Sequence, residues 1–167
     1  MKIPALILLF SISFLSFAQQ RDIEEIRVLF YKASNDKKMA KTFLDQLNRV
    51  NTVENSTLYG YKGMAHMLLA KYAWNPYKKL EHFYMGKAIL EEAIKEDRSN
   101  IELRFLRYSV QSNSPFFLIN NSELEADKEL IKKQWSTLKD KDLRRRIGQF
   151  MLASGDCTEA EKKLFKA

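Results

Sequence analysis

The chain has 167 residues, with 28 lysines and arginines against 21 aspartates and glutamates, so its net charge is +7 at neutral pH. This length suffices for one domain with a buried core. Cys157 is the single cysteine, which excludes an intramolecular disulfide, so stability must come from packing.

The first residues, MKIPALILLFSISFLSFAQQ, have the pattern of a signal peptide. Lys2 precedes an apolar run, and small residues near Ala18 predict cleavage after that residue. An uncleaved anchor is the alternative, but serines interrupt the run and it is shorter than the ~20 apolar residues of a spanning helix. We therefore predict residues 1–18 as a signal peptide and 19–167 as a single exported domain, periplasmic or secreted, with no transmembrane segment after cleavage.

The rest of the sequence predicts an all-α protein. Only five glycines and three prolines interrupt it, apolar residues recur at helical spacing, and no segment alternates with the period of a strand. Capping residues and breaks predict about eight helices. In chain order they cover 22–34, 36–50, about 57–72, 77–97, 100–112, 123–138, a seventh after a cap at Asp140 or its neighbour, and a short eighth beyond Gly155.

The fifth predicted helix contains the stretch NIELRFLRYSVQ, which is apolar on two sides. At about 100° per residue, the two apolar rows are Leu103, Leu106 and Val110, and Ile101, Phe105 and Tyr108. A helix that is apolar on both flanks is expected inside a stack of helix pairs, between its partner and the next pair. A narrow polar stripe of Arg104, Arg107 and Gln111 separates the rows.

The C-terminal stretch IGQFMLASGDCTEAEKKLFKA resembles a tetratricopeptide (TPR) repeat. Residues of matching size and spacing are Ile147, Gly148, Met151, Ala160 and Leu164, with Gly155 at the turn. A partial second match is Gly86, Leu90, Ala93 and Ile94. The segment from Asn75 to Gln111, followed by SPFFL, is also similar to small exported TPR-like proteins of Bacteroidetes.

This resemblance implies antiparallel helix pairs stacked as a short TPR-like α-solenoid, with a binding or scaffolding role and no catalysis. The sequence departs from the repeat between Tyr72 and Phe83, where AWNPYKKLEH replaces a short turn. Because the 34-residue period is lost there, no groove residues can be transferred to the middle of the chain.

The polar stripe of the fifth helix is the first candidate for partner binding. Guanidinium groups pair bidentately with carboxylates and phosphates, so Arg104 and Arg107, with Gln111, could hold an acidic protein or peptide. The alternative is that both arginines form internal ion pairs with acids of the preceding helix, namely Glu91, Glu92 or Glu96.

Two further regions are candidates for contact with a partner. Phe116 and Phe117 lie in a predicted loop, where consecutive apolar residues either fill a gap between pairs or form a contact surface. The chain from Lys128 onward carries 11 basic and 6 acidic residues, and Arg145 points away from the apolar face of the seventh helix. A solvated face is the alternative for this basic region.

Catalysis has little support in the sequence. His66 and His82 are the only histidines, and neither has metal-ligand spacing. No phosphate-binding loop or nucleophile elbow is present, so no cofactor or metal is expected. A hydrolytic site would need both histidines and acids to converge in one cleft.

Export and the lack of a recognised motif disfavour nucleic acid as a partner. The sequence predicts a non-catalytic module for a protein or peptide partner; the alternative is a carrier of a small hydrophobic or amphipathic ligand between the aromatic-rich third and fourth helices. It does not predict the oligomeric state.

Overall fold

The computed structural model describes residues 23–50, 52, 55–114 and 120–166. The predicted signal peptide lies outside these residues, as do Phe116 and Phe117. The described residues are all-α, with no strand among them, which confirms the predicted fold class. Their eight α-helices are α1 (23–35, described part), α2 (Lys37–Leu47), α3 (Ser56–Tyr72), α4 (Pro76–Glu96), α5 (Ile101–Ser112), α6 (Asn121–Gln134), α7 (Lys141–Ala153) and α8 (Glu159–Leu164).

Side-chain caps determine where most of the helices begin. Asn55, Asn75, Asn100 and Asp140 each accept a hydrogen bond from the first turn of the following helix, which satisfies an otherwise unpaired backbone N–H. The predicted starts near these residues are therefore confirmed.

Two helices end earlier in the structure than the sequence predicts. The α2 helix stops at Leu47, and Val50 beyond it is exposed. The α6 helix stops at Gln134 and is followed by a 3-10 turn over Trp135–Thr137. Terminal turns often tighten in this way, and here the turn directs Trp135 into the core against Phe165.

The buried apolar side chains form two cores that share α5. Leu103 and Leu106 belong to the first core, which is built from α1 to α5, with Val110 packed against it. Ile101 and Tyr108 belong to the second core, which is built from α5 to α7 together with Cys157 and Phe165 on either side of α8, and Phe105 packs against it. These are the two rows that the sequence predicts, so the prediction that both flanks of α5 are buried is confirmed.

The α3 and α4 helices pack antiparallel at very short range. A Cβ atom added to Gly63 would lie 2.7 Å from the Gly86 carbonyl oxygen, and one added to Gly86 would lie 2.5 Å from that of Gly63. Only glycine permits two backbones to approach this closely. Gly63 and Gly86 therefore let α3 and α4 come close.

Candidate binding cleft

A surface cleft of about 670 Å³ lies between α2 and the turn that joins α3 to α4. Leu69, Tyr72 and Trp74 supply its apolar lining, and Trp74 is 97% exposed. Its positively charged lining residues are Lys37, Lys38, Lys41 and Lys78. The cleft therefore combines an apolar lining with a cationic rim.

Hydrogen bonds between α1 and α3, and the cap of α2, position the walls of the cleft. The backbone carbonyl of Ser34, at the end of α1, accepts from the Tyr72 hydroxyl at 2.8 Å and from Lys71 Nζ at 2.7 Å. Asp36 caps α2 immediately afterwards by accepting from the Met39 N–H. These contacts fix the start of α2 beside the end of α3, which places the α2 lysines over the apolar lining.

The cleft has an excess of positive charge, because one acid, Asp45, lines it beside four lysines. In the described part of the chain, the side chains of Lys37, Lys38 and Lys41 form no ion pair, whereas Lys78 Nζ lies 2.7 Å from Glu81 Oε2. Lys37 and Lys38 also stand in the first turn of α2, which carries no acidic residue. The Asp36 carboxylate already caps this end of the helix, so it is the excess of lysines that favours an anion in the cleft.

His66 and His82 meet across the α3–α4 contact beside the cleft. Their Nδ1 atoms are 3.3 Å apart, so one ring nitrogen must donate and the other accept. His82 also lines the cleft. Burial lowers the pKa of His66, and the charges of His82 and Lys62 lower it further. No sequence pattern indicates this pair, because only the α3–α4 packing brings residues so distant in the chain together.

We expect the protein to lose stability as the pH falls through the ordinary histidine value of 6.5. Because the pKa of His66 is lower in the folded chain, the unfolded chain binds more protons in this range, and stability rises with pH. Thermal unfolding followed from pH 7.5 to pH 5 should show a decreasing midpoint. In a His66→Gln variant the decrease should be smaller, and an identical decrease would contradict the assignment to His66.

Arg104 and Arg107 are both paired with carboxylates of the same chain. Arg107 is buried, with its Nε 2.7 Å from Asp127 Oδ2 and its Nη1 2.7 Å from Glu91 Oε2, while Arg104 Nη1 lies 2.7 Å from Asp127 Oδ1. Burial lowers the pKa of Arg107, but Asp127 and Glu91 raise it by more. Arg107 therefore forms the internal ion pair with Glu91 that the alternative predicts. It also pairs with Asp127 of α6, which that alternative does not include.

The other residues predicted to contact a partner differ in their surroundings. Gln111 is buried and donates to Glu123 Oε2 at 3.0 Å. Arg145 is exposed and pairs with Asp142 at 2.7 Å. The structure therefore does not bring Gln111 and Arg145 to the cleft. Partner binding through these residues, or through Arg104 and Arg107, stays a prediction, and a partner of Arg107 would have to displace Asp127.

A second buried ionic network centres on Arg27 of α1, whose side chain is 2% exposed. Its Nε and Nη2 atoms each lie 2.7 Å from a Glu102 oxygen, and Nη2 lies 2.8 Å from Asp140 Oδ2. Glu102 also accepts from the Tyr61 hydroxyl at 2.8 Å. Burial lowers the pKa of Arg27, but Glu102 and Asp140 raise it by more, so the guanidinium stays charged and ties α1 to α5 and α7.

One group of acids has the spacing of a metal site. Oxygens of Glu125, Glu129 and Glu161 lie within 4.8 Å of one another. Lys128 pairs with Glu125 at 3.0 Å, and Lys132 pairs with Glu161 at 3.1 Å. Because lysines already neutralise these carboxylates, we interpret the group as a surface ion-pair network.

Comparisons with protein families, with curated proteins and with solved structures return no significant match. No helix among the described residues is both long enough and apolar enough to cross a membrane.

Proposed function

We propose that this protein is an exported, non-catalytic binding module whose cleft receives an acidic peptide segment of a protein partner. The observation that carries the proposal is a set of three lysines, Lys37, Lys38 and Lys41, that form no ion pair with any described residue and lie beside an apolar lining. Carboxylates of a peptide would neutralise the lysines while its apolar side chains cover Leu69 and Trp74. Complementary charge of this kind supplies specificity and fast association.

A stacked, TPR-like arrangement of helix pairs belongs to the same proposal. Two observations support it. The α3–α4 pair is antiparallel, since His66 faces His82 and Gly63 faces Gly86, and α5 is buried on both sides. Helix stacks generally offer extended surfaces for peptide partners.

The surroundings of the two histidines support a role without catalysis. In the described ranges, neither imidazole is hydrogen-bonded to a carboxylate or a hydroxyl, and their Nδ1 atoms face each other. A general base normally needs such a group for orientation or activation. Although the histidines converge as a hydrolytic site would require, this orienting group is missing among the described residues.

We expect a fluorescein-labelled peptide of alternating glutamate and leucine to bind, as measured by fluorescence anisotropy. A Lys37→Glu, Lys41→Glu double variant should weaken binding roughly tenfold, because each exposed ion pair is worth up to about 1 kcal/mol. The matched control is Lys133→Glu, Lys139→Glu, which makes the same charge change at exposed lysines outside the cleft.

Equal weakening by both double variants would show that only net charge matters and would contradict the cleft as the site. A labelled peptide of alternating lysine and leucine should not bind. If it binds as tightly as the acidic peptide, the partner is not selected by charge and the proposal is wrong.

A carrier of a small amphipathic ligand is the second candidate, because the cleft volume of about 670 Å³ falls in the range of small-molecule sites. Native mass spectrometry of protein purified from its own host separates the two functions. A carrier should retain a nonprotein mass that a Trp74→Ala variant loses, whereas a peptide-binding module should not.

A further inference from the structure

The solvent-facing side of α4 carries a row of exposed apolar side chains. Tyr77 is 84% exposed, Leu80 50% and Tyr84 55%. Their i, i+3, i+7 spacing places them on one face of the helix. The row lies opposite the buried face of α4, where Gly86 and Leu90 contact α3. We call this row, together with Trp74 in the preceding turn, the outer face of α4.

The outer face is unusual for a surface that only contacts water. Trp74, at 97% exposed, is more open than any other large apolar side chain of the described residues. Contiguous exposed apolar side chains mark interaction surfaces. No described element covers the row, since α4 packs on α3 and α5 through its other side.

The charges around the outer face determine which partner fits it. From Pro76 to Leu90, α4 carries three exposed lysines, Lys78, Lys79 and Lys87, against one acid, Glu81, which pairs with Lys78. Each lysine near an anionic bilayer strengthens binding about fivefold. Tryptophan and tyrosine combine an apolar ring with a polar tip and are enriched where lipid meets water.

We propose that the outer face of α4 docks reversibly on a bilayer surface that contains anionic lipids, with Trp74 and Tyr77 in the interfacial layer and the lysines among the headgroups. Tyr77, Leu80 and Tyr84 do not line the cleft, whereas Trp74 belongs to both surfaces. The inference therefore does not depend on peptide binding, and variants of the two tyrosines test it separately from variants of the α2 lysines. Docking of the outer face would place the cleft beside the membrane surface.

The protein contains a natural probe for this docking. It has two tryptophans, of which Trp135 is 3% exposed and Trp74 is 97% exposed. A change in tryptophan emission on adding vesicles therefore reports Trp74. We expect a blue shift and co-sedimentation with vesicles of phosphatidylcholine and phosphatidylglycerol in equal amounts. Neither should occur with phosphatidylcholine alone, and added salt should reverse both, because it screens the lysine charges.

A Tyr77→Ser, Tyr84→Ser double variant should bind the anionic vesicles at least about tenfold more weakly. The matched control is Tyr31→Ser, since Tyr31 is 66% exposed on α1. Lys87→Glu should also weaken binding, and thermal unfolding checks that every variant is folded.

Three outcomes would overturn the proposal. The first is no blue shift with either vesicle, and the second is unchanged binding by the folded double variant. The third is a dimer in solution that the double variant converts to monomer, because the outer face would then bind a second copy of the chain.

Discussion

Replacing Arg27 with alanine should destabilise the protein by roughly 3–5 kcal/mol, because removal of one partner leaves a buried charge uncompensated. The Glu102 side chain is 7% exposed and would keep only the Tyr61 hydroxyl as a side-chain hydrogen-bond donor. The thermal midpoint should fall by roughly 10 °C. Denaturant unfolding followed by circular dichroism measures the free energy of unfolding directly.

The control for Arg27→Ala is Arg145→Ala, which removes the same side chain from an exposed ion pair with Asp142. Exposed pairs contribute at most about 1 kcal/mol, so this variant should remain close to the wild type. If both arginine variants lose the same amount of stability, the buried network around Arg27 has no special role. An Arg27→Met, Glu102→Leu double variant should recover much of the loss, because a buried ion pair can be replaced by apolar side chains.

Gly63→Ala and Gly86→Ala should each destabilise the protein by roughly 3 kcal/mol. An added methyl group at either position would meet the backbone carbonyl of the opposing helix, and a backbone atom cannot move aside as a flexible side chain can. The α3 and α4 helices would have to separate, at a cost typical of an overpacked core. The separation should also disturb the His66–His82 pair, which is formed by the same two helices.

Gly155→Ala serves as the control for the two glycine variants. A Cβ added at Gly155 meets nothing within 4 Å, and no described glycine has a positive φ. Such a substitution changes stability by less than about 1 kcal/mol and usually increases it. A loss at Gly63 no larger than at Gly155 would mean that the helices can separate at little cost.

The sequence was sufficient to predict the helices and the burial of α5, because both depend on local patterns. Asn75 followed by Pro76 is a strong start signal on its own, and the structure begins α4 there. The two apolar rows of α5 follow from the helical period alone. Neither prediction needs knowledge of which helices touch.

The sequence does contain a signal for the two buried ionic networks. Arg27 lies on the apolar face of α1, four residues after Ile23 and three before Phe30. Asp127 likewise lies between Leu124 and Ile131 on the apolar stripe of α6. A charged residue inside an apolar stripe indicates a buried ion pair, although its partner depends on how distant helices meet.

The cleft and the histidine pair could not be predicted from local patterns. The lysines of α2 and the aromatic residues near Trp74 come together only because the end of α3 is tied to Ser34. His66 and His82 meet only because glycines let α3 and α4 approach closely. Both features result from packing between segments distant in the chain.

The sharing of α5 between the two cores has a consequence for how this domain can change over evolution. Neither half is a self-contained module. A chain cut on either side of α5 would separate α5 from one of its two cores and expose one of its apolar rows to water, either Leu103 and Leu106 or Ile101 and Tyr108. Duplication, loss or exchange of half the domain is therefore disfavoured, and variation should accumulate at its outer helices instead.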